Sequence, residues 1–388
     1  MARFADSLSK PGLGAIAEFK RRSPSMGDIR PDARVEDVVR RYAANGASAI
    51  SVLVDEQFAG TVDDLRAARA VTDTPLLAKG FFATEEHVRE LEEAGADAVL
   101  LILRDLDDAT TRRLLDYAHD LGLDALVEAH DADELQRAMA IDAPVIGINA
   151  RNLSTFAIDL RGQLELVTQA PKDRIVIAES GVHTRAQGAA AELAGADAVL
   201  VGTSLMQAAD PGKKLRELLS RPLVKVCGLT RQEDVDAAVE AGADLLGFIH
   251  VDASPRKSDV VLDVPETRLA VSVFVEETRE TPADLIQFYP ERGVAGVRGR
   301  EAMLLREGVR VGTLLDQPWD AHDALHWSRA AEAKGRIVLA GGLGPDNVRE
   351  AIAAVQPWAV DASSSLESSP GVKDHALVRA YVEAARGA

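Results

Sequence analysis

Short, uniformly apolar runs alternate along the chain with longer segments rich in charged residues. Such runs are typical of strands buried on both faces of a parallel sheet. Charge-rich segments such as TEEHVRELEEAG and DADELQRAMA have the spacing of amphipathic helices. Eight apolar runs precede residue 205, at 14–19, 48–54, 75–80, 97–103, 123–129, 144–149, 174–180 and 197–202. Eight strands alternating with helices within about 200 residues predict a TIM-type (β/α)8 barrel rather than a doubly wound sheet, which more often has five or six strands.

Three junctions between a charged segment and an apolar run share the sequence Ala-Gly-Ala-Asp, at 94–97, 194–197 and 241–244. A glycine just past a helix adopts the left-handed conformation that residues with a Cβ resist. Each copy therefore predicts a step from a helix into a parallel strand, and repeated steps of this kind build an α/β fold.

The same pattern starts again after a junction of only two residues, Arg221 and Pro222. Seven further apolar runs follow, at 223–228, 244–250, 269–275, 284–289, 309–316, 335–342 and 358–363. The predicted domains are residues 1–220 and 222–388. The predicted fold class is α/β, with two tandem (β/α)8 TIM-type barrels of which the second is shortened or incomplete.

Composition and charge narrow the class of protein. The 388 residues carry a formal net charge of −18, which argues against nucleic acid or an anionic membrane surface as a partner. Cys227 is the only cysteine, so an intramolecular disulfide is impossible. The N-terminal sequence MARFADSLSKPG lacks the apolar core of a signal peptide, and no apolar run approaches about 20 residues. We expect a soluble, cytoplasmic protein; the sequence predicts no oligomeric state.

Charged residues follow the apolar runs at the ends where a barrel places its active site. Asp55, Glu56 and Arg104 are explained by proximity to solvent. Lys79 and Glu128 are different, because each directly follows apolar residues, in PLLAK and LDALVE, and would point into the barrel mouth. Lysine and glutamate are rarely buried unless they are paired or functional.

Two adjacent strand ends in the first half carry a glycine beside a small hydroxyl residue, in ESGV (179–182) and VGTS (201–204). Backbone N–H groups at such loops bind phosphate, and barrels commonly place a phosphate site after their last two strands. The pair of loops, facing a cluster of lysine and glutamate, predicts a phosphorylated substrate. No spacing of His, Cys and Asp is typical of a metal site, and neither a metal nor another cofactor is expected.

The ordered motifs of the first half carry a family resemblance. The segments EFKRRSPSMGDI, LLAKGF, VEAHD, GINARNLSTF, AESGV and VGTSLM span most of residues 14–206. Together they resemble indole-3-glycerol-phosphate synthase. The resemblance implies a tryptophan-biosynthesis enzyme that converts 1-(2-carboxyphenylamino)-1-deoxyribulose 5-phosphate to indole-3-glycerol phosphate, with ring closure, decarboxylation and dehydration.

The resemblance also implies residue roles in the first half. Lys79 is expected to be the general acid on the C2′ oxygen, while Lys20 holds the substrate carboxylate. Glu18 and Glu128 are expected to move protons during dehydration. The remaining implied residues are catalytic Asn149, Glu179 and Ser180 and substrate-binding Ser23, Phe58, Phe81, Arg151, Gly181, Gly202 and Thr203. Bond formation at a ketone carbon needs a cation or acid over its oxygen, which a lysine among carboxylates supplies.

Two features of the first half depart from this family. The family has an extra helical segment before its first strand, where this chain has thirteen residues, so a weaker lid over the substrate is expected. The family also has Lys-Asp-Phe where this chain has Lys79-Gly80-Phe81, which removes one carboxylate near the lysine.

The second half resembles phosphoribosylanthranilate isomerase, which acts in the preceding step on N-(5-phosphoribosyl)anthranilate by an Amadori rearrangement. The resemblance rests on KVCGLTRQEDVDAAVEAGADLLGFI, SPRK, VSVFV, LAGGLGPDNV and DASSSLESSPGVKD. It implies that Cys227 is the general base and Asp316 the general acid. Arg256 is expected to hold the anthranilate carboxylate, and Gly342 and Ser364 to hold phosphate. The expected partners of the whole chain are thus small phosphorylated, anthranilate-derived substrates.

The departures from the isomerase family are larger. A Gly-rich loop is replaced by QPWDAHDALHW (317–327), and Gln-Leu-His-Gly becomes Gln287-Phe288-Tyr289-Pro290. Ser-Ser-Gly becomes Ser363-Ser364-Ser365. A helix is expected to be missing between 275 and 284 and a strand around 290–310, which would leave an open sheet edge.

Two alternatives keep the synthase and deny catalysis to the second half. In one, residues 222–388 are a packing or partner-binding module, and in the other they sense a phosphorylated ligand. If Cys227 is a base, a neighbouring group must help it to ionise, because a free thiol with a pKa of about 8.5 is mostly protonated at neutral pH. Arg256 and the amides near Gly342 are the expected helpers, and Lys225 is excluded by its position two residues back. Cys227 and Asp316 are expected to share one pocket.

Overall fold

The chain folds into two compact units, one of residues 1–183 and 188–219 and one of residues 184–187 and 220–388. The computed structural model describes residues 3–151, 157–290, 300–317 and 325–387. Each unit is built around one closed barrel of eight strands. The predicted α/β class with two tandem TIM-type barrels is confirmed.

The first barrel contains all eight predicted strands, and every neighbouring pair is parallel. The strands are β1 Gly14–Phe19, β2 Ala49–Leu53, β3 Leu76–Lys79, β4 Ala98–Ile102, β5 Asp124–Ala129, β6 Val145–Asn149, β7 Ile175–Glu179 and β8 Ala198–Val201. The helices of this part of the chain are α1 Arg3–Leu8, α2 Val35–Ala44, α3 Val62–Arg69, α4 Glu85–Glu93, α5 Asp108–Asp120, α6 Ala132–Ala140, α7 Leu160–Gln169, α8 Arg185–Ala194, α9 Thr203–Gln207 and α10 Pro211–Leu219.

The segment before β1 contains α1, which packs against the inside of the first barrel. Phe4 and Leu8 of this helix are buried in one cluster with the barrel-interior residues Ile16, Leu77 and Leu126. Burial of two large apolar side chains fixes the helix against the strands.

The Ala-Gly-Ala-Asp sequences have a further role in the fold. Gly95, Gly195 and Gly242 all have positive φ, at 94°, 115° and 93°, as the left-handed helix end requires. The aspartate two residues later accepts a hydrogen bond from the first backbone amides of a neighbouring strand. The three bonds are Leu76 N to Asp97, Val176 N to Asp197 and Val224 N to Asp244, each 2.8 Å. The repeated sequence thus ends a helix and also satisfies an amide at the start of the adjacent strand.

The second barrel has eight strands, one more than predicted. They are β9 Leu223–Cys227, β10 Leu245–Ile249, β11 Leu269–Val275, β12 Leu285–Tyr289, β13 Arg300–Arg306, β14 Val309–Asp316, β15 Ile337–Leu339 and β16 Ala359–Ala362. Its helices are α11 Gln232–Ala241, α12 His326–Glu332, α13 Val348–Val355 and α14 His375–Arg386. All seven predicted strands are present, and β13 is additional.

Strand β13 corrects the prediction of a shortened or incomplete second barrel. It pairs antiparallel with β12 on one side and with β14 on the other, so the sheet closes without an open edge. Every other neighbouring pair in this barrel is parallel. The barrel therefore departs from a regular (β/α)8 pattern by one β-hairpin. The described segment 276–284 contains no helix, as predicted.

None of the helices in the described part of the chain is long and apolar enough to cross a membrane. Within the same residues, no group of three or more His, Cys, Asp or Glu side chains is arranged to hold a metal ion.

Candidate active sites

Lys79 lies at the centre of the charged groups in the mouth of the first barrel. Its Nζ is 2.9 Å from Glu179 Oε2, 3.5 Å from Glu18 Oε2 and 3.8 Å from Glu128 Oε2. The Lys20 Nζ is 2.7 Å from the other oxygen of Glu18. These residues end or follow β1, β3, β5 and β7, whose carboxyl ends converge because the sheet is closed and parallel. The barrel thus brings together lysines and glutamates that are far apart in sequence.

Burial and neighbouring charges give the three glutamates different proton affinities. Burial raises the pKa of Glu179, and Lys79 offsets this only in part. Burial also acts to raise the pKa of Glu128, but its ion-pair contact with His130 and the charge of Lys79 lower it. In Glu18 the charges of Lys20 and Lys79 likewise outweigh burial and lower the pKa. Glu179 therefore retains a proton at a pH at which Glu128 and Glu18 are ionised.

Lys79 stays protonated despite its buried position. Burial by itself would lower its pKa, but the interactions with Glu179, Glu18 and Glu128 together outweigh burial and raise it. The site accordingly holds a fixed cation between groups that differ in their protonation, which is the arrangement needed for acid and base steps at one carbon centre.

A cavity of about 280 Å³ opens above these groups. Twelve of the residues predicted for this site line it: Glu18, Lys20, Phe58, Lys79, Phe81, Glu128, Asn149, Arg151, Ser180, Gly181, Gly202 and Thr203. Glu179 does not line the cavity, because it is fully buried beneath Lys79. Ser23 is also buried and does not line it.

Two glycines at the predicted phosphate end cannot be replaced without a clash. A Cβ on Gly181, which has a φ of 76°, would lie 2.4 Å from Leu160 Cδ2. A Cβ on Gly202 would lie 2.3 Å from Glu18 Oε1. Ser180 also has a positive φ, 69°. Both loops are thus packed closely against side chains of the barrel, and Gly181 has a backbone conformation that favours glycine.

The cavity is also lined by residues that sequence reasoning did not assign to the site, among them Ser25, Met26 and His183. Ser25 Oγ accepts a hydrogen bond of 3.2 Å from Arg151 Nη1. Ser25 and Met26 belong to the SPSMG segment, and His183 follows ESGV directly. These neighbouring motifs could have identified all three as site residues. Residues 152–156 of the GINARNLSTF motif lie outside the described residues.

Lys225 is the centre of a buried polar network in the second barrel. Its Nζ donates to Asp361 Oδ2 and to Gln287 Oε1, both at 2.7 Å. Gln287 Nε2 donates to Tyr289 Oη at 2.9 Å, and that hydroxyl donates to Asp316 Oδ2 at 3.2 Å. A continuous chain of polar contacts therefore runs from Lys225 to Asp316.

The exclusion of Lys225 as a helper of Cys227 is wrong. Burial raises the pKa of the Cys227 thiol, and the charge of Lys225 acts against that shift. The two side chains interact although they lie two residues apart on β9, because both point into the barrel. The resting thiol nevertheless stays protonated, since burial has the larger effect. The shared pocket of Cys227 and Asp316 stays a prediction.

Arg256 lies beside the strand end that carries Cys227, but it is already paired. Its Nε and Nη2 donate to the Glu367 carboxylate, with a closest distance of 2.8 Å. A Cβ on Gly228 would lie 3.0 Å from Arg256 Cδ, which places the arginine next to the end of β9. A substrate carboxylate would therefore have to bind at Nη1 or displace Glu367.

The residues predicted for phosphate in the second barrel lie at the ends of β15 and β16. Gly342 has a φ of 67°, and Ser364 begins a short 3₁₀ turn, Ser364–Leu366. The neighbouring Gly341 contacts Gln317, whose Nε2 donates to the Gly341 carbonyl at 3.3 Å. Residues 318–324 of the substituted segment lie outside the described residues.

Comparisons with known proteins also divide the chain into two parts. Residues 1–218 match the family model of indole-3-glycerol phosphate synthase, and residues 305–384 match that of N-(5'phosphoribosyl)anthranilate isomerase. The tryptophan biosynthesis protein TrpCF of Yersinia pestis is 33% identical, over 96% of this chain and 84% of its own length. The multifunctional tryptophan biosynthesis protein of Schizosaccharomyces pombe is 32% identical over 97% of this chain, which spans only 60% of that relative.

Among solved structures, TrpF from Jonesia denitrificans is similar, with 30% identity and a TM-score of 0.34. The alignment covers 43% of this chain and 98% of that one. The match to the synthase model covers more than half of the chain, and the TrpCF relative is matched over most of its length. The chain therefore belongs to the family of bifunctional tryptophan-biosynthesis enzymes that join an indole-3-glycerol-phosphate synthase to a phosphoribosylanthranilate isomerase.

Proposed function

We propose that the first barrel closes the indole ring of 1-(2-carboxyphenylamino)-1-deoxyribulose 5-phosphate. The aromatic carbon that bears the carboxylate attacks the C2′ carbonyl, CO2 leaves, and water is then lost to give indole-3-glycerol phosphate. The observation that carries this proposal is the cluster of Lys79 with Glu18, Glu128 and Glu179 at the mouth of a cavity. A buried cation and two kinds of carboxyl group match the needs of a condensation followed by a dehydration.

Lys79 acts in the first step, in which its ammonium group lies over the C2′ oxygen of the substrate. Because its pKa is raised by the carboxylates around it, the ammonium remains charged and stabilises the negative charge that develops on that oxygen. The proton follows once the oxygen has become strongly basic. Lys20 binds the substrate carboxylate before it leaves as CO2, since its ammonium lines the cavity beside Glu18.

The dehydration needs one group that gives a proton and one that takes a proton. Glu128 is the base that removes a C1′ proton, because its pKa is lowered. The proton for the departing hydroxyl comes from Lys79, which is recharged by Glu179, the carboxyl with the raised pKa at 2.9 Å. Asn149, Arg151 and Ser180 orient the substrate, and the phosphate binds near Gly181, Gly202 and Thr203.

We propose that the second barrel isomerises N-(5-phosphoribosyl)anthranilate, with Asp316 as the acid and Cys227 as the base. Asp316 protonates the ring oxygen and the sugar opens to an iminium. Cys227, which gives up its own proton with the help of the Lys225 charge when substrate is bound, then removes the C2′ proton, and the resulting enolamine takes up a proton at C1′ to give the aminoketone. The network from Lys225 to Asp316 supports this assignment. Arg256 binds the anthranilate carboxylate, and Gly342 and Ser364 bind phosphate. The comparisons do not favour the two alternatives in which this half is non-catalytic.

The chain is thus a substrate-processing enzyme of the tryptophan pathway. We propose the two specific substrates named above. The boundary between the proposed domains, 1–220 and 222–388, is part of it as well. The cytoplasmic location stays a prediction.

Separate assays of the two steps in two single variants test the proposal. Lys79→Met should lose synthase turnover by at least about a hundredfold while keeping isomerase turnover, because it removes only the cation over C2′. Cys227→Ala should lose isomerase turnover and keep synthase turnover. Circular dichroism and thermal unfolding of both variants check that the fold is intact. Near wild-type synthase turnover in folded Lys79→Met, or near wild-type isomerase turnover in folded Cys227→Ala, would contradict the corresponding assignment.

A further inference from the structure

His130 lies between two carboxylates in the first barrel, and the mechanism above leaves it without a role. Its Nε2 is 3.1 Å from Glu128 Oε1, as an ion-pair contact rather than an aligned hydrogen bond. On the other side, its Nδ1 is 2.9 Å from Glu134 Oε2, which also accepts from the His130 backbone amide at 2.8 Å. The imidazole thus connects the end of β5 with the first turn of α6.

The position of His130 is fixed from both of these elements. Asp131 caps α6 by accepting a hydrogen bond of 2.9 Å from the Glu134 amide, which holds the carboxylate of Glu134 near the start of the helix. The His130 side chain is 12% exposed and those of Glu128 and Glu134 are 2% and 11% exposed. With little water present, the ring cannot turn away without losing its contacts with both carboxylates.

The charges around the ring favour the imidazolium form. Burial by itself would lower the pKa of His130, but the carboxylates of Glu128 and Glu134 outweigh burial and raise the pKa to about 10. Lys79, at 3.8 Å from Glu128 Oε2, is the cation on the opposite side of Glu128. Glu128 therefore has one oxygen beside His130 and the other on the side of Lys79.

We propose that His130 is a positioning residue for the synthase reaction, a fixed cation that anchors Oε1 of Glu128 and keeps this carboxylate ionised. Glu134 holds the imidazolium in place, and Oε2 of Glu128 is left to take the substrate proton. This role rests on the proposed synthase function, in which Glu128 is the base.

The charge state of His130 can be measured without any turnover. In the full chain labelled with ¹⁵N-histidine, a pH titration by NMR reports the protonation of each imidazole, and the signal missing in His130→Gln assigns this one. We expect His130 to remain an imidazolium at pH 8 and to lose its proton at lower pH in Glu134→Gln. A neutral His130 at pH 7 would overturn the proposal even if the enzyme is fully active.

The effect on Glu128 is measured by the pH profile of synthase kcat/KM. His130→Gln keeps a polar side chain but removes the charge, so the pKa of Glu128 should rise and the acid limb should move up by about one pH unit or more. The matched control is His119→Gln, an exposed histidine on α5, which should leave the profile unchanged. A lower kcat with an unmoved acid limb would mean a purely structural role and would overturn the proposal. Absence of synthase turnover in the wild-type chain would instead refute the proposed function, and the NMR titration would still decide the charge of His130.

Discussion

At the scale of single residues, the first site depends on small differences in the surroundings of chemically identical groups. Glu128 and Glu179 are both almost fully buried and both lie within 4 Å of Lys79. Glu128 has a second cationic neighbour, His130, which lowers its pKa, and the direct interaction of the two carboxyl groups raises the pKa of Glu179. Two carboxyl groups of one type thereby become an acid and a base.

The position of Glu179 depends on the absence of a side chain at Gly147. A Cβ on Gly147 would lie 2.0 Å from Glu179 Oε1 and 3.1 Å from Leu126 Cδ1. In Gly147→Ala the flexible end of Glu179 should move away, so the thermal midpoint should change by only a few degrees. Displacement of Glu179 from Lys79 should lower synthase kcat by about ten- to a hundredfold. Steady-state kinetics and thermal unfolding measure the two effects.

Gly188→Ala in α8 is the control for this substitution. Within 4 Å its Cβ would meet Leu13 Cδ2, at 3.3 Å, and none of the charged residues around Lys79. Synthase kcat should remain within about twofold of wild type. Equal losses in the two variants would show that the effect of Gly147→Ala does not come from Glu179.

At the scale of elements, one hairpin replaces a strand-helix-strand unit in the second barrel. Strands β13 and β14 pair over residues 300–316 with a register shift between Leu304 and Leu305. On β13, Ala302 and Leu304 are buried while Glu301 is exposed, as expected for a strand with one face toward a core. The hairpin closes the barrel with fewer residues than a helical crossover needs, because antiparallel strands require only a short turn.

Substitutions in the turn of this hairpin should change the free energy of unfolding. Arg306 pairs with Val309, and the two residues between them, Glu307 and Gly308, both have positive φ, at 49° and 79°. Such a two-residue turn favours Asn-Gly. Gly308→Val should therefore destabilise the chain by about 1–3 kcal/mol, because a β-branched residue resists positive φ. Urea unfolding followed by circular dichroism measures the change.

Glu307→Asn, at the adjacent position, should not destabilise the chain, because asparagine tolerates positive φ better than glutamate. It should leave the free energy of unfolding unchanged or raise it slightly. If Gly308→Val and Glu307→Asn had the same effect, the turn geometry would not be the cause.

Fifteen of the sixteen barrel strands were predictable from sequence because each is a short apolar run between charged segments. The exception, β13, reads REAMLLR, and its four consecutive apolar residues between charges give no clear alternation. The first site was predictable for a related reason: Lys79 and Glu128 interrupt apolar runs at strand ends. The contact of Lys225 with Gln287 and Asp361 was not predictable, because it depends on how a long side chain crosses the barrel interior.

At the scale of the whole molecule, each barrel has a hydrophobic core made from its own part of the chain. The buried cluster around the first barrel contains residues between Ala15 and Leu218, and that of the second contains residues between Val224 and Ala385. Each sheet also closes on its own strands, so neither depends on a strand of the other. The two catalytic steps proposed for this chain are thus assigned to two separately closed barrels.

This independence predicts that residues 1–220, expressed alone, fold and close the indole ring. The fragment contains all eight strands of the first barrel and every residue assigned to the synthase site, so its kcat/KM should lie within about threefold of the full chain. Residues 222–388 alone should likewise retain isomerase turnover, since Cys227, Arg256 and Asp316 all lie within them. The measurements are thermal unfolding and the two separate assays, with an equimolar mixture of the fragments as the control. If either fragment fails to unfold cooperatively, or is active only in the mixture, the barrels are not independent and the proposed domain boundary is wrong.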